Sequence, residues 1–254
     1  MCGRFGFIYP SAEDWAESTA DLAYSEKLKK AYDEELPQYA RTNIAPTQTV
    51  PTIVYSEKEK TYLMVPMRWG WEPLWRPNGQ IHNGNLQTIL DPHKTTWKKD
   101  FATRRCLIPA SFFYDWQQRD DAVKFPWKIE RADGKLIFFA GLFQYDTLRK
   151  NRNEKVLTTV IITQHGNKLM QALNNSDPPG TQPVILDYDT LSHWLNPQIK
   201  DPRVIAKLIR IYSEQEIQVT PLEKIGNDNT KEPPQAREWI DPYAVKTAYC
   251  PNPQ

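Results

Sequence analysis

The most distinctive chemistry in this chain belongs to its second residue. The sequence opens Met1-Cys2-Gly3-Arg4-Phe5, and an initiator methionine is trimmed where a small residue follows it. Trimming here leaves Cys2 with an α-amine and a thiol on adjacent carbons. Such a 1,2-aminothiol condenses with an aldehyde through its nitrogen, and the sulfur then closes on the imine carbon as a five-membered thiazolidine. An α-amine titrates near ~8 and a cysteine thiol near ~8.5, so uncharged amine is available near neutrality without special tuning. Taken alone, Cys2 is better read as a permissive second position. The rest of the sequence has to decide.

The other reactive residue types offer less. Three cysteines, at 2, 106 and 250, form no CxxC pair, which argues against a disulfide framework or a zinc site. Cys106 sits in the apolar run Cys106-Leu107-Ile108 and reads as a small buried hydrophobe, and Cys250 reads as incidental. His82, His93 and His193 show no metal-ligand spacing. Net charge is +1 over 254 residues, which excludes a histone-like binder but leaves room for a local basic groove. Nine tryptophans could offer stacking faces, although core packing is their commoner use. No apolar run has the length of a spanning helix, and Arg4 and Tyr9-Pro10 interrupt any signal sequence. The expectation is a cytoplasmic protein with no membrane partner.

The elements that must position Cys2 follow from local pattern. Ser11 as N-cap with Glu13 and Asp14 behind it predicts a helix running to about Tyr32. Thr52 to Tyr55 and Thr61 to Val65 read as a hairpin around the polar run 56–60. Residues 68–92 are turn-rich and aromatic, and so long an irregular stretch is more often functional than idle. Strands are expected at 106–108, 112–116, 125–130, 136–143 and 156–163, with Asp133-Gly134 as a hairpin turn. Short helices are expected at 168–173 and 190–195, and a strand at Val184 to Leu186. Pro202 opens a helix with Val204, Ile205, Leu208, Ile211 and Tyr212 on its buried side, and 216–220 is a last strand. Strands and helices do not alternate, so the expected fold is α+β: one domain, 1–254, with a curved, mainly antiparallel and open-barrel-like sheet flanked by helices. A Pro-rich tail extends from about 229.

Several segments together resemble the SOS-response-associated peptidase (SRAP) family. The resemblance runs through Cys2-Gly3-Arg4-Phe5, Arg41-Thr42-Asn43-Ile44-Ala45-Pro46-Thr47-Gln48 and Arg68-Trp69-Gly70-Trp71-Glu72-Pro73-Leu74-Trp75. It continues through Ile81-His82-Asn83-Gly84-Asn85, Arg105 to Ala110, Phe113-Tyr114-Asp115-Trp116, Ala140 to Phe143, Thr158 to Thr163 and Gln182 to Leu186. The pieces keep the family's order from residue 2 to about 228.

The resemblance implies a sensor that binds single-stranded DNA and traps the ring-opened aldehyde of an abasic site as a thiazolidine on Cys2, protecting the lesion during repair. It implies removal of Met1, autocatalytic or by an aminopeptidase, no metal or other cofactor, and a monomer, associated with the nucleoid when on DNA. Its catalytic set maps to Cys2, Asn83, Asp115 and Asn174. The amide of Asn83 suits orienting the amine or a sugar hydroxyl. Asp115 stands where the family has glutamate, one methylene shorter, and a carboxylate there can shuttle the proton of imine formation. Asn174 stands where the family has histidine and cannot titrate; His165, nine residues upstream, reads as structural. The DNA contacts map to Arg4, Asn43, Pro46, Arg68, Trp69, Asn85, Arg105 and Trp116, with Asn85 replacing an arginine, and with Lys94, Lys98, Lys99 and Arg104 nearby. Two alternatives stay open: a degenerate relative that holds DNA without a covalent bond, and a peptidase or amidase with an N-terminal cysteine nucleophile.

Overall fold

The polar run at 56–60 turns the chain between two strands, Thr49–Ser56 and Thr61–Trp69, paired in register from Thr49 opposite Arg68 to Ser56 opposite Thr61. This is the expected hairpin, longer at its far end. In chain order the computed structural model has β1 (Arg4–Phe7), α1 (Ala12–Ser18), α2 (Glu26–Glu34), β2 (Arg41–Ile44), β3 and β4 (the hairpin) and β5 (Asn83–Asn85). Then come α3 (Leu86–Leu90), α4 (Lys98–Thr103), β6 (Arg105–Ala110), β7 (Phe112–Arg119), β8 (Val123–Arg131), β9 (Ile137–Leu148) and β10 (Asn151–His165). The last elements are α5 (Lys168–Leu173), β11 (Thr181–Pro183), α6 (Leu191–Leu195), α7 (Pro202–Ala206) and β12 (Ile217–Pro221). The structure describes residues 3–22, 25–73, 75–76, 79–119, 123–148, 151–175, 180–226 and 234–244.

Two sheets result. One runs β12-β8-β7-β1-β2, every neighbour antiparallel. In the other, β10 pairs with β9 on one side and with β4, in parallel, on the other. The path β10-β4-β3-β6-β9 therefore curls into a partial barrel, in which β3 meets β6 at one register pair, Ile53 with Leu107. Short β5 continues the β4 side of β10, and β11 continues its β9 side. The core fills the space between with aromatics: Phe5 of β1 meets Trp69 of β4 edge-on at 5.1 Å and Phe139 of β9 at 5.7 Å, all fully buried. The expected fold class holds.

Four local expectations are corrected. The helix from Ser11 is broken: Ser18 and Thr19 hydroxyls bond back to the Trp15 carbonyl, a 3₁₀ turn follows at Ala20–Leu22, and Ser25 caps a second helix through the Leu28 N–H. Asp133-Gly134 is a turn, with Gly134 at φ +70°, but not a hairpin. It passes the chain from β8 in one sheet to β9 in the other. The strand expected at 184–186 lies mostly at Thr181–Pro183, leaving the single bridge of Ile185 to Phe139. The helix from Pro202 stops at Ala206, so its supposed buried face is lost: Ile205 and Tyr212 are buried, whereas Val204 and Ile211 are about half exposed.

Residues 234–244 of the Pro-rich tail pack back on the first sheet, with Ala236 bridging Leu222 just past β12. Cys106 is fully buried, and burial pushes its thiol up to about 12, which makes it an inert core residue as expected. No helix among the described residues is long and apolar enough to cross a membrane.

Candidate functional site

The site is assembled along β7. Strand β1 pairs with it antiparallel, Arg4 opposite Tyr114 and Phe5 opposite Phe113, so Gly3 comes next in line beside Asp115. Met1 and Cys2 lie outside the described residues; Gly3 is the first one inside. Period-2 alternation puts Phe113, Asp115 and Gln117 on the inward face of β7. Asp115 is 3% exposed, and Trp127 of β8, fully buried, stands directly opposite. One carboxylate oxygen accepts the Trp116 N–H at 2.9 Å. Burial pushes the carboxyl up to about 7, and the charge of the amino terminus, the Trp116 N–H and Lys124 offset this only in part.

Asn83 is presented by β5, opposite Ile161 of β10, and is half-buried. Its neighbour His82 anchors the strand: the His82 carbonyl accepts the Trp69 indole N–H at 2.9 Å and the Ile161 N–H at 3.1 Å. Burial lowers the His82 imidazole's pKa, and the charge of the amino terminus lowers it further. Asn174, buried, ends α5: its side-chain amide donates to the Thr181 hydroxyl at 3.0 Å and its backbone carbonyl accepts the Gly180 N–H. The adjacent Asn175 exchanges two hydrogen bonds with the Gln118 backbone of β7 at 2.8 and 2.9 Å. Asn174 is therefore tied to the strand of Asp115, and through β11 and β10 to the strand of Asn83.

The expected DNA contacts separate into two groups. Arg4 donates to the Asn43 side-chain oxygen at 2.9 Å, and both reach the Gly226 carbonyl, so these two meet beside β2. Pro46 lies in a turn held by the Trp69 backbone, the Thr47 N–H donating to the Trp69 carbonyl at 2.7 Å. Arg68 pairs with Glu72 at 2.6 Å, and Trp116 is half-buried against Phe112, Tyr114 and Leu222. Three others are committed to the fold. Trp69 is fully buried and offers no stacking face. Arg105 is 5% exposed, and its guanidinium donates to the carbonyls of Trp194, Phe101, Ala102, Asn196 and Ile199. Asn85 caps α3 by accepting the Thr88 N–H at 3.1 Å. His165 is exposed, in keeping with a structural role.

A sequence profile of the SOS response associated peptidase (SRAP) family matches residues 1–228. The chain belongs to this family. Among relatives of this SRAP protein, it is 27% identical over 242 residues to the Abasic site processing protein YoqW of Bacillus subtilis, covering 94% of this chain and 99% of that one. It is 25% identical to the Abasic site processing protein YedK of Escherichia coli, covering 78% and 81%. A crystal structure of a Bacteroides thetaiotaomicron protein matches it with a TM-score of 0.68 at 21% identity, over 91% of this chain and 98% of that one, which supports the fold.

Reading the SRAP chain as sequence missed three residues. Trp75 is 63% exposed and meets Trp71 edge-on at 6.0 Å, with Trp71 on Trp97 at 5.3 Å, so the exposed aromatic of the 68–75 segment is Trp75. It stood in the family-like segment 68–75 with no role of its own assigned there. Trp127 walls Asp115, and Gln117 sits two residues along the same face; neither carried any motif. A cavity of about 580 Å³, lined by Tyr55, Glu57, Tyr62 and His193 among others, includes none of the site residues.

Proposed function

We propose that this SRAP protein captures abasic sites in single-stranded DNA by forming a thiazolidine between Cys2, freed of Met1, and the ring-opened sugar aldehyde. The observation that carries the reading is the pairing of β1 with β7, Arg4 opposite Tyr114, which sets Gly3 beside a buried carboxyl that burial pushes up to about 7. Membership of a family whose relatives bear the name abasic site processing protein supports the substrate.

Each step balances with the groups named. Water hydrolyses the Met1–Cys2 peptide bond and releases methionine. The Cys2 amine adds to the aldehyde carbon, giving a carbinolamine. Protonated Asp115 gives its proton to the departing hydroxyl, which leaves as water, and an iminium remains. The Cys2 thiol adds to that carbon as its proton passes to the Asp115 carboxylate, restoring the acid and closing the ring. Asn83 orients the amine or a sugar hydroxyl with an amide that both donates and accepts. Asn174 holds the turn into β11 and moves no proton. Arg4 with Asn43, the Pro46 turn, Arg68, Trp116 and Trp75 line the path of a single strand, combining charge with stacking faces. One copy of the chain supplies every group.

The test is incubation with a single-stranded oligonucleotide carrying one abasic site, followed by a denaturing gel, beside Cys2→Ser and Cys2→Ala. The expected result is a denaturation-resistant band that requires the Cys2 thiol. Native binding without such a band means a non-covalent binder. Cleavage of a peptide reporter through an acyl-enzyme means a peptidase with an N-terminal cysteine. Either outcome overturns the proposal.

A further inference from the structure

Residues 234–244 lie beyond the span matched by the family profile, 1–228, yet they return to the strands around Asp115. Trp239 meets Trp127 edge-on at 6.0 Å, and the Arg237 guanidinium lies over the Phe125 ring at 4.7 Å. The Asp241 carbonyl accepts from the Arg119 guanidinium at 2.7 Å, and the carbonyl of buried Pro242 accepts from the Gln117 amide at 2.8 Å.

Gln117 is where these contacts converge. It is fully buried, and a primary amide offers two donors and an oxygen with two lone pairs. All four are used. Its nitrogen donates to the carbonyls of Ala172, in the last turn of α5, and Pro242, both at 2.8 Å. Its oxygen accepts from Arg119 Nε at 2.7 Å and from the Trp127 indole N–H at 3.3 Å. Trp127 is the residue opposite Asp115, and Gln117 shares the Asp115 face two positions along. One side chain thus fixes the indole beside the carboxyl, the helix end that carries Asn174, and the tail.

We propose that Gln117 is a positioning residue for Asp115, and that segment 234–244 is a strap that holds Gln117 and Trp127 in place and seals this end of the site from water. The proposal rests on the reading of Asp115 as the proton-transfer group. Without Trp239 and the Pro242 carbonyl, one Gln117 N–H would be buried without an acceptor, a loss the amide relieves by rotating or admitting water. Either response loosens Trp127 and hydrates Asp115.

The experiment uses full-length Trp239→Ala, Gln117→Met and the double variant. Trp239 is 61% exposed, so its truncation leaves the core intact. Crosslinking rate to abasic single-stranded DNA is measured from pH 5.5 to 9, and the Asp115 carboxyl is titrated directly by ¹³C NMR. The expected result is an acidic limb of the rate profile and an Asp115 titration both lower by about one pH unit, with a maximal rate down roughly tenfold. The double variant should equal the worse single one, because both changes act on one unit. A lower rate with unmoved limb and titration means a merely structural role and overturns the proposal, as do wild-type profiles in every variant. If the unmodified protein forms no crosslink, the functional reading fails first; a wild type that crosslinks beside unaltered variants sinks the strap alone.

Discussion

Replacing Asp115 with asparagine has a thermodynamic consequence that can be worked from its surroundings. The carboxyl is 3% exposed, and burial raises it from 3.8 to about 7. Unfolding returns it to water and to its ordinary value. Between those limits the folded chain holds a proton that the unfolded chain releases, so stability falls as pH rises through the window. It is fully present below pH ~4 and the whole penalty stands above pH ~7. Three units at ~1.4 kcal/mol each make that penalty about 4 kcal/mol. Roughly 1.5 kcal/mol is already lost at pH 5, where the unfolded aspartate is ionised, and about 2.5 kcal/mol more is lost by pH 8.

Asparagine nearly matches the shape and has nothing to titrate. The Asp115→Asn variant should therefore gain on the wild type by about 2.5 kcal/mol between pH 5 and pH 8. Urea unfolding followed by tryptophan fluorescence at both pH values measures the gap, with equal m-values required for the comparison. The same variant should crosslink at least about 10²-fold more slowly, because the proton donor is gone. A gap that stays constant with pH would refute the buried-acid argument, and with it the case for Asp115 as a proton donor near neutrality.

Two further outcomes follow from the sorting of the expected DNA contacts. Trp75→Ala should weaken single-stranded DNA binding by about 1–3 kcal/mol in fluorescence anisotropy with little change in unfolding midpoint, since the ring is largely exposed; unchanged affinity would remove Trp75 from the DNA path. Arg105→Met strands five carbonyl acceptors in the interior, and should cost at least about 3 kcal/mol of stability while leaving the salt dependence of DNA binding unaltered. A reduced salt slope in a stably folded variant would return Arg105 to the interface.

The sequence made local pairing legible and long-range pairing illegible. The β3–β4 hairpin is written in alternation around a five-residue polar turn, whereas Asp133-Gly134 has the same turn chemistry whether or not its flanking strands pair. Motif adjacency misled in a physical way. Successive strand residues face opposite sides, so Arg68 and Trp69 on β4 meet different surroundings, as do Asp115 and Trp116 on β7. In each pair the structure buries one member, Trp69 and Asp115, and leaves the other partly exposed. Gln117 was invisible because its role depends on a tail more than a hundred residues downstream. The ordered motifs did survive: they bring Asn83 on β5, Asp115 on β7 and Asn174 at the end of α5 onto connected elements.

The absence of a titrating group at Asn174 bears on how the proposed condensation can run at all. Thiazolidine formation needs an unprotonated amine and, at the same pH, an acid to release water. With the amine near ~8, the two requirements overlap best around pH 7.5. An aspartate of ordinary pKa would be protonated there in only about two molecules in 10⁴, and one near 7 in about one in four, a gain of roughly 10³ in competent acid. That gain comes from burial against Trp127 and not from a charged neighbour, since the charges that reach Asp115 all lower it. A single carboxyl in a dry setting can then deliver the proton in one step and take it back in the next, with no imidazole to relay it. What the shorter side chain loses in reach must be supplied by position, which is why the proposed reaction draws on the residues that fix Trp127 and β7 as well as on the carboxyl itself.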